Sequence, residues 1–275
     1  MIFFIFCALF IILAFLPLTR ITHWSVRIWD FVRIQTTAIQ FLLLIALLIF
    51  YGLHTKTSWI IALGLVITMI YQLRKIIPFT SYYHQKPRKP DHYENLQSIT
   101  LITANVLQPN DNIAAFASLI REHKPDVFLT MESNLKWEKG LKQFEKEYPH
   151  QVKVPLENLY GMHLYSKYEL SQTQVNYLVE EGIPSIFTKV HYRKGAPLNL
   201  ICVHPAPPSP TENETSEERD AELLIVGKAV RKLHNPIIVC GDLNDVVWSR
   251  VSSLFKTMTG LLDPRIGRGL FTSFH

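Results

Sequence analysis

The sequence is poor in charge, has few cysteines and contains no internal repeat. Charged residues occupy only 19% of its 275 positions. Its three cysteines, Cys7, Cys202 and Cys240, all lie in apolar stretches, where a buried free thiol is the usual state, so they do not identify a redox compartment. The absence of a repeat or a low-complexity tract excludes a repeat protein.

The second part of the chain also lacks an excess of positive charge. Residues 98–275 hold nineteen Lys and Arg against twenty Asp and Glu, whereas residues 1–97 hold nine against three. Proteins that bind duplex nucleic acid usually carry a basic face on the binding domain itself. A nucleic-acid partner is therefore disfavoured, and the basic residues of the first part indicate membrane topology and contact with a lipid bilayer.

The sequence has three long uncharged stretches near its start. They are residues 1–18, 34–53 and 57–73, close to the roughly 20 apolar residues that a membrane-crossing helix needs. The first could also be a cleavable signal peptide, but it lacks a basic start and a small-residue cleavage site. We predict a membrane domain at 1–76 with three transmembrane helices, and a juxtamembrane linker at 77–97.

The basic residues that flank these stretches predict an orientation. Arg20, Arg27 and Arg33 lie between the first and second stretches and five basic residues follow the third, whereas only Lys56 lies on the other side. The positive-inside rule then places the globular domain of a multi-pass inner-membrane protein in the cytoplasm. A globular domain outside the membrane is the alternative.

Four apolar segments of the globular domain, at 98–275, are predicted to be strands, and a polar side chain ends or follows each. The segments are residues 98–105, 125–132, 198–204 and 237–240. The polar residues are Asn105, Glu132, His204, and Asp242 with Asn244. Each alone has an ordinary interpretation, such as a turn or a solvated strand end. Their recurrence at four strand ends indicates one shared site.

The segment after the last strand is the most informative of the four. Asp242 and Asn244 stand two residues apart, so in an extended segment their side chains lie on the same side. An acid and an amide that leave a strand together suit a hard cation, a phosphate or an activated water. A simple Gly-Asp turn at Gly241 is the alternative.

In this order, the strand-end motifs resemble those of the endonuclease/exonuclease/phosphatase superfamily. The motifs are Thr-Ala-Asn-Val at 103–106, Thr-Met-Glu-Ser at 130–133, Gly-Met-His-Leu-Tyr-Ser-Lys at 161–167, Val-His-Pro at 203–205 and Gly-Asp-Leu-Asn at 241–244. The resemblance implies an α/β fold, a four-layer α/β sandwich of two facing, mainly antiparallel sheets with outer helices.

The resemblance also implies a role for each strand-end residue in hydrolysis of a phosphoester. Glu132 is the main ligand of a Mg²⁺ (or Mn²⁺) ion and Asn105 assists it. Asp242 orients or deprotonates the attacking water, and Asn244 holds the phosphate. His204 stabilises the phosphoryl oxygens or protonates the leaving group.

Three further residues receive weaker expectations. His163 and Tyr165 belong to one of the family motifs and are expected at the edge of the cleft. Arg219, near the start of a predicted amphipathic helix within 211–235, is interpreted as a surface charge, with contact to a phosphate as the alternative. The apolar stripe of that helix is expected to pack on the core.

The sequence departs from the family pattern at its end. Members of the family end in a strand with an Asp and then a Ser-Asp-His turn, whereas this sequence stops at His275. We therefore expect either a truncated or a degenerate member. The preferred function is a membrane-anchored, Mg²⁺-dependent phosphoesterase whose substrate is a phosphate ester near the bilayer. A nuclease and a catalytically dead, membrane-tethered binding module are the alternatives.

Overall fold

The computed structural model describes residues 1–84, 98–192, 195–234 and 236–271. These residues form two compact units, and each is described by itself. The described residues of the first unit lie within 1–84, 208–217 and 245–271, and those of the second within 98–207 and 218–244.

The helices and strands follow one another in a mixed order along the chain. The described α-helices are α1 (Ile2–Phe15), α2 (Trp24–Phe31), α3 (Arg33–Ala46), α4 (Lys56–Ile76), α5 (Ile113–His123), α6 (Leu135–Leu141), α7 (Glu217–Val230) and α8 (Arg250–Thr259). The described strands are β1 (Leu101–Asn105), β2 (Val127–Met131), β3 (His150–Val154), β4 (Met162–Ser166), β5 (Leu170–Asn176), β6 (Ser185–Val190), β7 (Leu198–Val203) and β8 (Ile237–Gly241). Helices α1 to α4 and α8 belong to the first unit, and the strands to the second.

Two helical segments of the first unit, not the predicted three, are long and apolar enough to cross a membrane. Among the described residues they are Arg33–Tyr51, with 19 residues, and Lys56–Phe79, with 24. The first apolar helix, Ile2–Leu18, is shorter, and it finishes in a 3₁₀ turn that contains Pro17. Because only two helices reach the length of a membrane span, the predicted count of three is corrected to two candidates. Length and composition alone are weak evidence for such a span.

Helices α1, α3 and α4 pack against one another through apolar side chains, among them Cys7, Leu43 and Leu65. Two glutamines add polar contacts inside this packing. Gln72 Nε2 donates to Gln40 Oε1 at 2.7 Å, and Gln40 Nε2 donates to a main-chain carbonyl of α1 at 2.9 Å. Because an unpaired buried amide is costly, these bonds favour one register of the three helices.

The second unit contains two four-stranded sheets. The strand order of the first is β1-β2-β4-β3, and that of the second is β5-β6-β7-β8. β1 and β2 are parallel, as are β7 and β8, and the other four pairings are antiparallel. This agrees with the predicted α/β fold with mainly antiparallel sheets.

The core of the second unit lies between the two sheets. Alternate residues of β2 and β4, such as Leu129 and Leu164, pack with Ile186, Leu200 and other buried residues of the second sheet. The opposite face of the first sheet is covered by α5 and α6 through a second apolar cluster. The sheets are therefore covered in layers, which fits the predicted sandwich.

The predicted strands and helix boundaries agree closely with the structure where both can be compared. The first three predicted strands contain β1, β2 and β7, and β8 extends one residue beyond the fourth. The helical spacing of residues 113–123 predicts a helix, and α5 spans the same residues. The linker predicted at 77–97 begins with the 3₁₀ turn Ile77–Phe79, and its residues 85–97 lie outside the described residues. The end of the chain from 272 onward, including His275, also lies outside them.

Candidate functional site

The predicted site residues lie at the carboxyl ends of two pairs of parallel strands. In the first sheet, Asn105 is the last residue of β1 and Glu132 comes directly after β2. In the second sheet, His204 comes directly after β7 and Asp242 directly after β8. Because parallel strands in register end at the same edge, each sheet brings two of these residues to one edge.

The side-chain amide of Asn105 bridges carboxylates from the two sheets. Its Nδ2 donates to Glu132 Oε1 at 2.6 Å and lies 3.3 Å from Asp242 Oδ2. Its Oδ1 accepts a hydrogen bond from the main-chain N–H of Leu107 at 3.1 Å. These bonds fix which end of the amide faces the carboxylates. Asn105 acts as a hydrogen-bond donor here, and its oxygen is turned to the main chain.

Glu132 has an unusual main-chain conformation. Its φ of 56° is in the left-handed region, which non-glycine residues adopt infrequently. The next residue holds this turn in place, because Ser133 N–H donates to the carbonyl of Gly161 at 3.0 Å. Strained conformations of this kind persist where surrounding bonds enforce them, and they are concentrated at functional sites.

Gly241 is required where β8 ends. Its φ is 131°, and a Cβ atom at this position would lie 1.9 Å from the carbonyl oxygen of Val203. Directly after Gly241, the Asp242 N–H points to Met131 Sδ of the first sheet at 3.0 Å. The glycine of the Gly-Asp-Leu-Asn motif therefore has a steric cause.

Asn244 connects Asp242 with the loop that follows β7. Its N–H donates to Asp242 Oδ1 at 3.0 Å, which forms a tight Asx turn. Its side-chain Nδ2 donates to the carbonyl of Pro205 at 2.9 Å. Its own φ is 48°, again in the left-handed region. The predicted pair Asp242 and Asn244 is thus held in one turn, next to the residue that follows His204.

His204 is nearly inaccessible, with 2% of its surface exposed. Its ring centroid lies 5.1 Å from that of Tyr160, at an angle of 45°. Tyr160 therefore packs against one side of the imidazole. The structure therefore places all five predicted residues at four neighbouring strand ends. Asn105, Glu132 and Asp242 are joined directly, and Asn244 is joined through Asp242.

Two residues expected at the edge of the cleft lie elsewhere. His163 and Tyr165 are in the interior of β4, on the face that packs against α6, and both are fully buried. Tyr165 stacks on Phe128 at 4.6 Å. Burial lowers the pKa of His163 to about 4, with a smaller contribution from Lys153, so its imidazole is neutral at pH 7. The expectation was wrong because alternation within the strand turns both side chains towards the helices.

Arg219 was interpreted as a surface charge, and the structure corrects this. The side chain is only 2% exposed and its Nη1 donates to the main-chain carbonyl of Asn244 at 2.9 Å. The sequence contained a signal, because Arg219 precedes Leu223 by four residues and Val226 by seven. That spacing places it on the buried stripe of α7.

The donor set at the strand ends is suited to a hard divalent cation. Glu132 Oε1 and Asp242 Oδ2 are both close to one nitrogen, so they lie within about 6 Å of each other. In the described part of the chain, neither carboxylate has a lysine or arginine partner. Two carboxylates without a positively charged partner repel each other at this distance, and a bound cation would relieve the repulsion. Both are partly accessible to solvent.

No group of three His, Cys, Asp or Glu side chains that could hold a metal occurs among the described residues. A structural zinc site built from four such side chains is therefore not found among those residues. Mg²⁺ binds through one or two carboxylates and keeps several waters. The pair Glu132 and Asp242 therefore fits Mg²⁺ or Mn²⁺ better than a metal that needs four protein ligands.

The chain is similar to parts of several solved structures. No curated protein sequence matches the chain. Similar solved structures include a β-hairpin deletion mutant of beta toxin from Staphylococcus aureus, with 19% identity over 60% of this chain and 74% of that chain and a TM-score of 0.49. The human Nocturnin catalytic domain with bound sulfate has 15% identity over 58% of this chain and 70% of that chain, with a TM-score of 0.48. D. rerio TDP2 with a single-strand DNA product has 16% identity over 62% of this chain and 65% of that chain, with a TM-score of 0.46.

These identities and TM-scores are too low to carry a functional inference, and the family assignment depends on the sequence. A family model described as the Endonuclease/Exonuclease/phosphatase family matches residues 102–275, which is more than half of the chain. The match includes every strand-end residue of the site. The chain therefore belongs to the endonuclease/exonuclease/phosphatase family.

Proposed function

We propose that this protein is a membrane-anchored, Mg²⁺-dependent hydrolase of phosphate esters. Members of its family are generally hydrolases that act on phosphoester bonds. The observation that carries the proposal is the bridge from Asn105 to Glu132 and Asp242, which joins acidic groups from two sheets in one accessible place.

In this proposal, Glu132 and Asp242 hold the cation, which would neutralise charge that develops on the phosphoryl oxygens. Asn105 holds Glu132 in position, because its amide nitrogen donates to that carboxylate. Asp242 also orients the attacking water and accepts its proton. Because Asp242 Oδ1 accepts the hydrogen bond from the Asn244 N–H, the direction of Oδ2 is set as well.

The remaining two residues act on the phosphate. Asn244 has one amide hydrogen bonded to the Pro205 carbonyl, and its second amide hydrogen binds a phosphoryl oxygen. His204 protonates the leaving oxygen or stabilises the phosphoryl oxygens. Its burial next to Tyr160 limits the orientations of the ring, which favours a fixed direction of proton transfer.

The apolar helices support the membrane part of the proposal. Only 22% and 28% of the two long apolar windows are buried within the chain. Large side chains such as Phe41, Leu42, Ile60 and Leu63 are more than half exposed. A core helix of a soluble protein would bury most of such a surface, whereas lipid would cover it. A substrate close to the bilayer, such as a lipid-linked phosphate ester, follows from this anchor.

The basic residues also support a cytoplasmic position of the globular domain. With two spans, Arg27 precedes the first, Arg33 begins it, and Arg74 and Lys75 lie near the end of the second. Only Lys56 lies at the opposite ends. A reporter fused after residue 97 should therefore be active in the cytoplasm; activity confined to the outer side would refute this orientation.

The function is tested with bis-p-nitrophenyl phosphate and the purified full chain in detergent. We expect turnover that requires Mg²⁺ and stops with EDTA. Glu132→Gln should lower kcat/KM at least ~100-fold, because a charge that holds the cation is lost while the side-chain shape is retained. Glu122→Gln, at an exposed position of α5, is the matched control and should retain wild-type turnover. Equal turnover in Glu132→Gln and wild type would disprove the site.

A further inference from the structure

Arg219 is a buried cation with no direct place in the reaction proposed above. It lies in the first turns of α7 and only 2% of it is exposed. Its Nε and Nη2 both donate to Asp220 Oδ1, at 3.1 and 2.8 Å. Its Nη1 donates to the carbonyl oxygen of Asn244 at 2.9 Å. The planar guanidinium is therefore held on one side and directs a charged donor to the Asn244 main chain on the other.

Asn244 is held at three of its atoms. Its carbonyl oxygen accepts from Arg219, its N–H donates to Asp242, and its side-chain amide donates to the Pro205 carbonyl. The residue is also in the left-handed region, at a φ of 48°, which asparagine adopts more readily than most residues but which is still uncommon. A charge-assisted hydrogen bond to its carbonyl is the kind of contact that can stabilise such a conformation.

The chemistry of the contact requires arginine. The guanidinium has five N–H groups in a fixed plane, so it can bond Asp220 and Asn244 in opposite directions at once. A lysine ammonium is a single point charge on a flexible stem, and it cannot reproduce the fork. Removal of Arg219 would leave the carbonyl of Asn244 without its charged donor.

We infer that Arg219 is a positioning residue that sets the direction of the Asn244 side chain. The inference rests on the proposed function, in which Asn244 binds the phosphate. Arg219 does not touch the substrate. Its contribution to turnover therefore passes through Asn244 and disappears when the Asn244 side chain is absent.

The test is a double-mutant cycle with Arg219→Ala and Asn244→Ala, assayed with Mg²⁺ and bis-p-nitrophenyl phosphate. Arg219→Ala should lower kcat roughly 10- to 100-fold, the range for a reacting group displaced by about 1 Å. The Mg²⁺ concentration for half-maximal activity should change little, because Asn244 is proposed to bind the phosphate and not the cation. In the Asn244→Ala background, Arg219→Ala should cost no more than about threefold.

Two further variants separate positioning from general stability. Arg219→Lys keeps the charge but not the fork, so its kcat should be close to that of Arg219→Ala. Added guanidinium at millimolar concentration should restore part of the activity of Arg219→Ala only. Arg231→Ala, which removes an exposed arginine just after α7, is the control and should behave as wild type.

The outcomes can be distinguished. Two results would overturn the inference and leave the proposed function intact. One is a kcat loss in the double mutant equal to the product of the two single-mutant losses; the other is a wild-type kcat in Arg219→Ala. If Arg219→Ala fails to fold, Asp220→Ala removes the acceptor that braces Arg219 and should give a smaller loss of kcat in the same direction; wild-type kcat in this variant overturns the inference.

Absence of turnover in the wild type would instead reject the proposed function. The positioning is then measured by hydrogen–deuterium exchange in residues 241–247. Faster exchange there in Arg219→Ala than in Arg231→Ala supports the inference, and equal exchange overturns it.

Discussion

Strands β4 and β8 both carry motifs of the family, yet their polar residues have different surroundings. His163 and Tyr165 lie within β4 and are fully buried under α6. Asp242 lies one residue beyond the end of β8, is partly accessible, and has hydrogen-bond partners at both carboxylate oxygens. The polar residues of β4 belong to the packing of the sheet, whereas Asp242 belongs to the site.

The difference shows that a polar side chain just beyond the end of β8 stays accessible, whereas one in the interior of β4 does not. Both faces of the first sheet are covered, one by the second sheet and the other by helices. A polar side chain within β4 therefore becomes buried whichever way it points. His163 illustrates the cost, because among the described residues neither of its ring nitrogens has a hydrogen-bond partner.

The largest effect that separates the two strands is expected for Asp242→Asn. The amide can still accept the hydrogen bond from Asn244, so the turn should persist, but the charge that binds the cation and takes the proton is lost. We expect kcat to fall at least ~100-fold with little change in Tm. Turnover within threefold of wild type would show that the strand end does not carry the chemistry.

Gly241→Ala should produce the next largest effect, on stability. The new Cβ would lie 1.9 Å from the Val203 carbonyl oxygen, and φ is 131°, so β7 and β8 would have to separate at the site. We expect a loss of about 3 kcal/mol or more in the free energy of unfolding, measured with urea.

Gly260→Ala is the control for this substitution. Its φ is 70°, but no atom lies within 4 Å of the added Cβ, so only the backbone cost of about 1 kcal/mol remains. Equal losses in the two variants would show that the close approach at Gly241 is not the cause.

The smallest effect concerns β4 and appears as a dependence of stability on pH. The pKa of His163 is about 4 in the folded protein and near 6.5 when unfolded, so the unfolded state binds the proton more readily. The neutral His163 therefore contributes to the free energy of unfolding, and this contribution is complete above pH 6.5 and decreases as the pH falls towards 4. Between pH 7.5 and 5 it amounts to about 2 kcal/mol, which His163→Leu should abolish.

Measurements of urea unfolding at several pH values test this prediction, with turnover as the second readout. His163→Leu should retain wild-type kcat, because the residue lies away from the strand ends. His123→Leu, at the exposed end of α5, is the control and should retain the wild-type pH dependence. A large loss of kcat in His163→Leu would contradict the prediction and show that this residue takes part in turnover.

Local pattern was sufficient for much of the fold and for which polar residues follow the ends of strands. A continuous apolar run predicts a buried strand, and the first polar side chain after it marks the strand end, as at Glu132 and Asp242. Helical spacing predicted α5 with its observed limits. The same reasoning failed at His163, because a strand pattern does not say which face is covered by a helix. It also failed for the first apolar stretch, whose helix is too short to count as a span.

The sequence by itself determined which segments form strands and which polar groups follow them, because these features depend on neighbours within a few residues. Only the tertiary structure decided that Asn105 bonds Asp242 across 137 positions and that Arg219 is buried against Asn244. Those contacts depend on which strands pair and on how two sheets face each other. Periodicity along the chain carries no information about such distances, so the joined site arises only when the sheets pack.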